Sequence, residues 1–291
     1  MVAGNTITTS LNDAMDSVVS SARVVREKEG VMPQLVDKKT LGTGIGNTWE
    51  EISWEALTAA QAITETTVLT NPQQYQVSLK QITPTMVGLE TFVTDKVAQR
   101  LSPIALAEMG GLMQNAAQRK KNADGLVVLD SASTSLGGAG VVLNTGYITA
   151  AKAQIKGNST EPGNPPYRYV GHSYQIKCFE DEIIASVGTY PVADGLTARV
   201  FTEGFSGKIG GVEIYADDNL SIDSSDDAKG GVFAQEGIVM VQGSAPRIVS
   251  VRQEHIGGGG TSVYLYDDYA YGTRSTYWVI EIYGDCTAPT S

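Results

Sequence analysis

A histidine next to a serine is the residue pair in this sequence most suggestive of catalysis. Gly171-His172-Ser173-Tyr174-Gln175 follows the Gly-x-Ser-x-Gly turn that exposes a nucleophilic serine, except at its last position. That position needs a glycine so that a helix can pack against the turn, and Gln175 stands there. We therefore predict that His172 forms a hydrogen bond at a helix entrance. The second histidine, His255, precedes a glycine run and is predicted to lie in an exposed turn.

Two glycine-containing segments have partial likeness to phosphate-binding loops. Gly204-Phe205-Ser206-Gly207-Lys208-Ile209 contains a Gly-Lys pair, but it lacks the upstream glycine and the Ser/Thr that would hold magnesium. Gly42-Thr43-Gly44-Ile45-Gly46-Asn47 lacks the glycine spacing of a dinucleotide-binding fingerprint. Neither segment predicts nucleotide binding.

An acidic stretch is the best candidate for a cation site, because calcium prefers hard oxygen ligands. It consists of Asp217, Asp218, Asn219, Asp223, Asp226 and Asp227. Counted from Asp217, however, the turn glycine of a calcium loop is replaced by Ile222 and its final glutamate by Ala228. We predict a solvated loop, with calcium binding as the alternative. Glu180-Asp181-Glu182 is predicted to be a solvent-facing part of a helix.

The two cysteines, Cys178 and Cys286, lie 108 positions apart and could form at most one bridge. They are predicted to be small buried hydrophobic residues in a reducing compartment. His172 lies six positions from Cys178, with no second pair of ligands at zinc-site spacing. The sequence therefore predicts no catalytic, cofactor-binding or metal-binding residues. We expect that the protein is not an enzyme.

Composition points to a folded, soluble protein. The chain has 291 residues, 42% of them hydrophobic, and a formal charge of -11 from 32 acidic and 21 basic residues. This length predicts one large domain or two interleaved domains. Its negative charge disfavours a nucleic-acid-binding surface, and it has neither a stretch of about 18 apolar residues nor an N-terminal signal-like segment.

The first half of the chain alternates between helical and extended patterns. Residues 10–30 predict an amphipathic helix, and residues 46–82 predict a strand-rich excursion in which Tyr75, Val77 and Leu79 alternate with polar residues. This excursion is too polar to form its own core. A two-stranded ribbon is marginal alone, so we expect it to lie on another surface, such as a second copy of the protein.

The strongest helix signal follows. Ser102-Pro103 is a favourable start, apolar residues then recur every three or four positions, and Gly125 is predicted to end the helix. Gly110-Gly111 in its middle costs about 1–2 kcal/mol relative to alanine. We expect close approach of another group there, or a bend.

The remainder predicts an α+β body. Helices are expected over 145–156 and 173–187. Strands are expected over 208–215, 237–242, 247–254, 262–267 and 276–283, with Gly257 to Gly260 as a hairpin tip.

In the order of its parts, the chain resembles the major capsid proteins of tailed bacteriophages, whose Hong Kong 97-type fold is shared with encapsulin shells. Residues 102–125 look like the spine helix of that family, and residues 46–82 look like its extended loop. Phe205 to Leu220 is similar to its glycine-bounded strand, with Asp218 and Asn219 where Ser or Asn is common. The N-terminal arm has only about 30 to 40 residues, so an internal scaffold is not expected.

The resemblance implies an α+β, Hong Kong 97-like fold with five regions. They are an N-terminal arm (1–45), an extended β-hairpin loop (46–82), a peripheral domain with spine helix 102–124 (83–130), an axial domain (131–245) and C-terminal strands returning to the peripheral domain (246–291). It also implies a subunit that assembles into pentamers and hexamers of an icosahedral head shell. That shell would enclose double-stranded DNA without reading its sequence.

Further expectations follow from the same resemblance. The location would be the virion, after assembly in the host cytoplasm, with no membrane partner and with scaffolding, decoration and portal proteins as possible partners. An encapsulin-like nanocompartment shell has the same fold and stays an alternative, separable by cargo peptide rather than DNA inside. A β-rich tail or adhesion module is a second alternative and predicts a monomer or trimer.

Overall fold

Two β-sheets, one long helix and a separate hairpin account for most of the regular structure. The structure is a computed structural model that describes residues 28, 30–42, 44, 46–60, 62–65, 72–99, 103–185, 207–256 and 258–290. The predicted helix over 10–30 lies outside these residues, apart from its last positions. The helices are α1 (Met32–Leu35), α2 (Asp95–Ala98), α3 (Pro103–Asp130), α4 (Thr145–Lys156) and α5 (Ser173–Ala185).

The strands fall into one six-stranded sheet, one four-stranded sheet and a two-stranded hairpin. They are β1 (Asp37–Thr40), β2 (Trp49–Trp54), β3 (Val77–Ile82), β4 (Thr85–Thr94), β5 (Ser135–Gly137), β6 (Tyr167–Gly171), β7 (Lys208–Ile209), β8 (Val212–Ala216), β9 (Asp227–Ala234), β10 (Ile238–Gln253), β11 (Gly260–Thr273) and β12 (Val279–Asp285).

The six-stranded sheet has the order β5-β12-β9-β6-β8-β7 and carries the largest core. Helix α4 was predicted from its apolar spacing, and Ile148, Ala151 and Ile155 are all fully buried in that core. Helix α5 adds Phe179, whose ring meets Tyr169 of β6 edge to face at 5.7 Å. Both predicted helices are confirmed, α5 as far as Ala185.

The four-stranded sheet has the order β1-β10-β11-β4. Two predicted strands, 237–242 and 247–254, are here one strand, β10, that is continuous through register shifts between Gln242 and Arg247. Pro246 lies in this irregular part, where the missing backbone N–H is tolerated. Strand β4 was not predicted. Residues 254–256 and 258–259 form the turn between β10 and β11, as the glycine pattern predicted.

The C-terminal strands are shared between the two sheets. β10 runs without interruption across the expected domain boundary at 245/246, and β12 pairs with β9 and β5 in the six-stranded sheet. The expectation that the strands after 246 return to the peripheral domain stays a prediction, in which β12 pairs within the six-stranded sheet and Val279 of β12 packs with Leu129 of α3. Apolar side chains of β12 also fit the larger core, where Ile282 is fully buried.

Helix α3 has 28 residues and is about 42 Å long. It continues to Asp130, so the prediction that Gly125 ends it was wrong. A Cβ on Gly125 would lie 3.0 Å from Met32 and 3.3 Å from Tyr271, so this glycine permits close packing. At Gly110 and Gly111, by contrast, no described atom lies within 4 Å of a Cβ position. The close approach expected there does not come from this part of the chain.

A buried ion pair joins α3 to the four-stranded sheet. Lys121 Nζ lies 2.6 Å from Asp267 Oδ2, and both side chains are almost fully buried. Asp267 also accepts hydrogen bonds from Gln242 Nε2 and from the backbone N–H of Asp268. Lys121 further lies 4.7 Å from the centre of the Tyr269 ring. These contacts fix the helix on the sheet at one register.

Candidate functional site

The β2–β3 hairpin has two unlike faces. Directly opposite residues of an antiparallel pair lie on the same face, and successive residues alternate between faces. The pairing Trp49↔Ile82, Glu51↔Lys80 and Ser53↔Ser78 defines one face. The pairing Glu50↔Gln81, Ile52↔Leu79 and Trp54↔Val77 defines the other. The second face is the more apolar towards the tip.

The more apolar face is turned to solvent. Ile52 and Trp54 are 60% and 69% exposed, whereas Ile82 on the opposite face is only 9% exposed. Tyr75, just before β3, extends the exposed surface and meets the Trp54 ring edge to face at 6.2 Å. We define the outer hairpin face as Ile52, Trp54, Tyr75, Val77 and Leu79.

Because this face is exposed, the single chain lacks the stabilisation that burial of its apolar side chains would give. Full burial of a large apolar side chain contributes about 1.5–3 kcal/mol. The outer hairpin face consists of five such side chains, and all five are exposed among the residues that the structure describes. A contiguous exposed apolar patch on a folded protein marks an interaction surface. The hairpin therefore has the properties of an arm that is completed by another molecule.

The root of the hairpin is firmly attached to the body. Trp49 and Ile82 pack on a small cluster with Val239 and Val241 of β10. Arg274 donates from Nε to Glu51 Oε2 at 2.7 Å and from Nη2 to Asp37 Oδ2 at 2.9 Å.

Arg274 stays charged although it is largely buried. Burial opposes its charged form, but the hydrogen bonds to Glu51 and Asp37 outweigh this and raise the pKa of the guanidinium. Because Glu51 belongs to β2 and Asp37 to β1, one side chain sets the angle of the hairpin to the four-stranded sheet.

The histidines occupy the places that were predicted for them. His172 Nδ1 accepts the backbone N–H of Tyr174 at 3.2 Å, where α5 begins, and its Nε2 lies 3.8 Å from Asp218. Burial lowers the pKa of His172, which favours the neutral ring. Asp218 accepts the backbone N–H of Ser173. His255 is exposed in the bend after β10.

The acidic stretch organises the backbone. Asp217 accepts hydrogen bonds from the backbone N–H of Val31 at 3.1 Å and from Asn122 Nδ2 at 2.7 Å. Asp223 accepts the N–H groups of Ser225 and Asp227, and these bonds lower the pKa of its carboxyl.

The prediction of a solvated loop was wrong for two of these residues. Asp217 and Asp227 are both 1% exposed; Asp217 accepts a hydrogen bond from the buried Asn122, and Asp227 accepts one from the N–H of Gly140. Within the described ranges, no three His, Cys, Asp or Glu side chains are grouped to hold a metal ion. The calcium alternative stays an untested prediction.

The other candidate residues have structural contacts. Lys208 of the Gly-Lys pair forms an ion pair of 2.9 Å with Glu213, and Gly204 to Ser206 lie outside the described residues. Both cysteines are free; burial raises the pKa of Cys286 to about 12 and also raises that of Cys178. Cys178 is only half-buried, which corrects part of its prediction. Asp181 and Glu182 face solvent, as predicted for the Glu180 to Glu182 run.

A helix-covered six-stranded sheet, a four-stranded sheet on a long helix and an outlying hairpin together define the Hong Kong 97-type capsid fold. Solved structures show this directly. The head structure of Helicobacter pylori bacteriophage KHP40 is similar with a TM-score of 0.73 and 13% identity, covering 97% of this chain and 98% of that chain. The capsid structure of cyanophage P-SCSP1u is similar with a TM-score of 0.71 and 13% identity, covering 97% and 96%.

A chain of Mycobacterium phage Che8 is also similar, with a TM-score of 0.67 and 14% identity, covering 92% of this chain and 98% of that chain. No protein-family model matches the sequence, and no curated protein matches it either. The similarity thus lies in the fold and confirms the predicted α+β, Hong Kong 97-like architecture. No helix in the described ranges is long and apolar enough to cross a membrane.

Proposed function

We propose that this chain is a major capsid protein that assembles into the icosahedral head shell of a tailed bacteriophage. One observation carries the proposal: the outer hairpin face is apolar, exposed and held away from its own body. The shared fold with chains of phage capsids over nearly the whole length supports the same conclusion. The protein would act by association, in the virion, after assembly in the host cytoplasm.

The hairpin would contribute through a contact between unlike surfaces. A patch that binds a different patch on the next copy can close into rings, here pentamers and hexamers. Each contact need contribute only several kcal/mol, because many contacts per subunit hold a shell together. The net charge of -11 would weaken adhesion to the enclosed DNA, which fits a container that does not read sequence.

The regions keep their expected roles in this proposal, and β12 is proposed to act with the six-stranded sheet in which it pairs. The six-stranded sheet, including β12, would form the axial domain around five- and six-fold centres. The four-stranded sheet and α3 would form the peripheral domain, residues 46–82 the extended loop and residues 1–45 the N-terminal arm. Scaffolding, decoration and portal proteins stay possible partners.

Expression of the chain with and without an altered hairpin tests this function. The variant Ile52→Ser/Leu79→Ser changes two opposite residues of the outer hairpin face, and Val142→Ser/Ile222→Ser changes two exposed apolar residues elsewhere. We expect shell-sized particles from the unaltered chain and the control, seen by size exclusion and negative-stain microscopy. The hairpin variant should stay as folded, unassembled subunits.

Two results would contradict the proposal. An unaltered chain that stays a monomer or trimer would favour the tail or adhesion alternative. Particles that form equally well from the hairpin variant would show that the outer hairpin face does not hold the shell together. Circular dichroism of each variant separates loss of assembly from loss of folding.

A further inference from the structure

The outer edge of β10 is open over half of its length. β1 pairs with β10 only from Val239 to Gln242, and no other described strand pairs with the same edge further along. Every residue from Ser244 to Arg252 is exposed, including Ile248 at 61% and Val251 at 44%. The backbone N–H and C=O groups that point away from β11 are therefore available to another strand.

This edge lacks the usual protection. Natural sheet edges are guarded by charged side chains, by proline, or by bulges that twist the edge away. Here the irregular stretch and Pro246 lie at the start of the open edge, and the run Ile248-Val249-Ser250-Val251 that follows has neither charge nor proline. β-Branched residues of this kind favour strand pairing.

The two arginines beside the open part interact with side chains of their own chain. Arg252 Nη2 lies 2.8 Å from Asp95 Oδ2, a residue beyond the opposite edge of the sheet. Arg247 lies over the Tyr266 ring of β11, 5.3 Å from its centre. Neither charge is therefore placed to repel an incoming strand. The edge therefore has backbone groups that no described strand pairs with, and no charge is placed to repel a second strand.

We propose that the open edge of β10 pairs with the same edge of a second copy, antiparallel and centred on Ser250. The two copies are related by a two-fold axis perpendicular to the sheet. Each residue therefore lies opposite a residue whose side chain is on the same face of the joined sheet. In this register Val249 lies opposite Val251 of the second copy, and this pair occurs twice. Ser250 lies opposite its own counterpart. The two four-stranded sheets become one eight-stranded sheet.

The Val249-Ser250-Val251 run is its own complement in this register, and the charges are compatible with it. With Ser250 at the centre, Arg247 faces Gln253 of the second copy and Arg252 faces Ile248, so no like charges lie directly opposite. Like charges directly opposite would destabilise the pair. The contact is isologous, in contrast to the proposed hairpin contact between unlike surfaces. It needs two copies but does not depend on the proposed shell.

A disulfide at the centre of the contact tests it. Directly opposite Cα atoms of antiparallel strands lie about 4.5 or 5.5 Å apart, within the range that a disulfide spans. In the full chain, Ser250→Cys should therefore give covalent dimers on mild oxidation. Ser225→Cys, on an exposed loop, is the matched control and should not. The native cysteines are the background of both and are measured in the unaltered chain.

Charge exchange then tests the register. In the Ser250→Cys chain, Val249→Lys/Val251→Lys places lysine opposite lysine twice, and dimer yield should fall about tenfold. Val249→Glu/Val251→Lys places glutamate opposite lysine twice and should restore most of the yield. A foreign strand on this edge, or another register, would not distinguish the two variants in this way.

The outcomes of these experiments can be distinguished from those of the shell-assembly experiment. Particles from the Ser250→Cys chain that contain no disulfide-linked dimer would overturn the β10 contact and leave the proposed function standing. Disulfide-linked dimers of the Ser250→Cys chain, with no particles from the unaltered chain, would do the reverse. Equal dimer yields from the Lys/Lys and Glu/Lys chains would overturn the register.

Discussion

The six-stranded sheet and the β2–β3 hairpin use similar strands in opposite ways. In the sheet, Tyr169 of β6 is buried in the core with α4 and α5, and Phe233 of β9 is buried in a second core with α3. In the hairpin, the more apolar face points outwards and the opposite face rests on the body. Strand alternation thus produces a core where a helix covers the apolar face, and an exposed apolar surface where no described part of the chain covers it.

The sharpest contrast is between two aromatic residues. Phe233→Ala should lower the free energy of unfolding by about 4 kcal/mol, because it removes a fully buried ring and leaves a cavity. Trp54→Ala should change it by less than about 0.5 kcal/mol, because the ring is mostly exposed in the single chain.

Denaturant unfolding in the Ile52→Ser/Leu79→Ser background measures both values without interference from assembly. A large loss from Trp54→Ala would mean that the hairpin packs on its own body, and the contrast between the two regions would disappear.

A second contrast concerns two neighbouring lysines on α3. Lys121→Ala should destabilise the fold by about 3 kcal/mol, because it leaves Asp267 buried without its cation. Lys120→Ala should cost less than about 0.5 kcal/mol, because its ion pair with Asp124 is exposed to solvent.

Thermal or urea unfolding distinguishes the two. Lys121→Met/Asp267→Leu, which replaces the buried pair by apolar groups, should recover stability relative to Lys121→Ala. If Lys121→Ala and Lys120→Ala behave alike, the buried pair does not hold α3 on the sheet.

The sequence predicted those elements whose buried face is marked by the spacing of their own apolar residues. Helix α4 shows its buried face through Ile148, Ala151 and Ile155, and the hairpin shows its alternation through Val77 and Leu79. The need of the hairpin for external cover followed from its polarity. Its orientation did not, because Trp49 and Trp54 put a tryptophan on each face. Only the position of the Val239–Val241 cluster decides which face is covered.

Other features depend on contacts that no local pattern contains. From the sequence, Gly125 is predicted to end the helix. In the structure it lies within the helix and lets it pass close to Tyr271 and Met32. Asp227 reads as part of a wet loop, but it begins β9 and accepts the N–H of Gly140. In both cases the deciding partner comes from a distant part of the sequence.

The smallest expected effect is the pH dependence set by His172. Burial lowers its pKa in the folded chain, while Asp218 and Asp217 oppose this and Lys28 adds to it. Below the unfolded value of about 6.5, the unfolded chain therefore binds the proton more readily. Stability from the neutral ring is complete above that pH and falls as the pH drops towards the folded pKa.

His172→Gln should remove this part of the pH dependence, whereas His255→Gln should leave it intact because His255 is exposed. Unfolding free energies at about pH 7.5 and about pH 5.5, compared between variants, cancel the contribution of the carboxylates. An equal slope for all three chains would mean that the ring is solvated. Water would then reach the start of α5, and the difference in burial between the body and the hairpin would be smaller at that point.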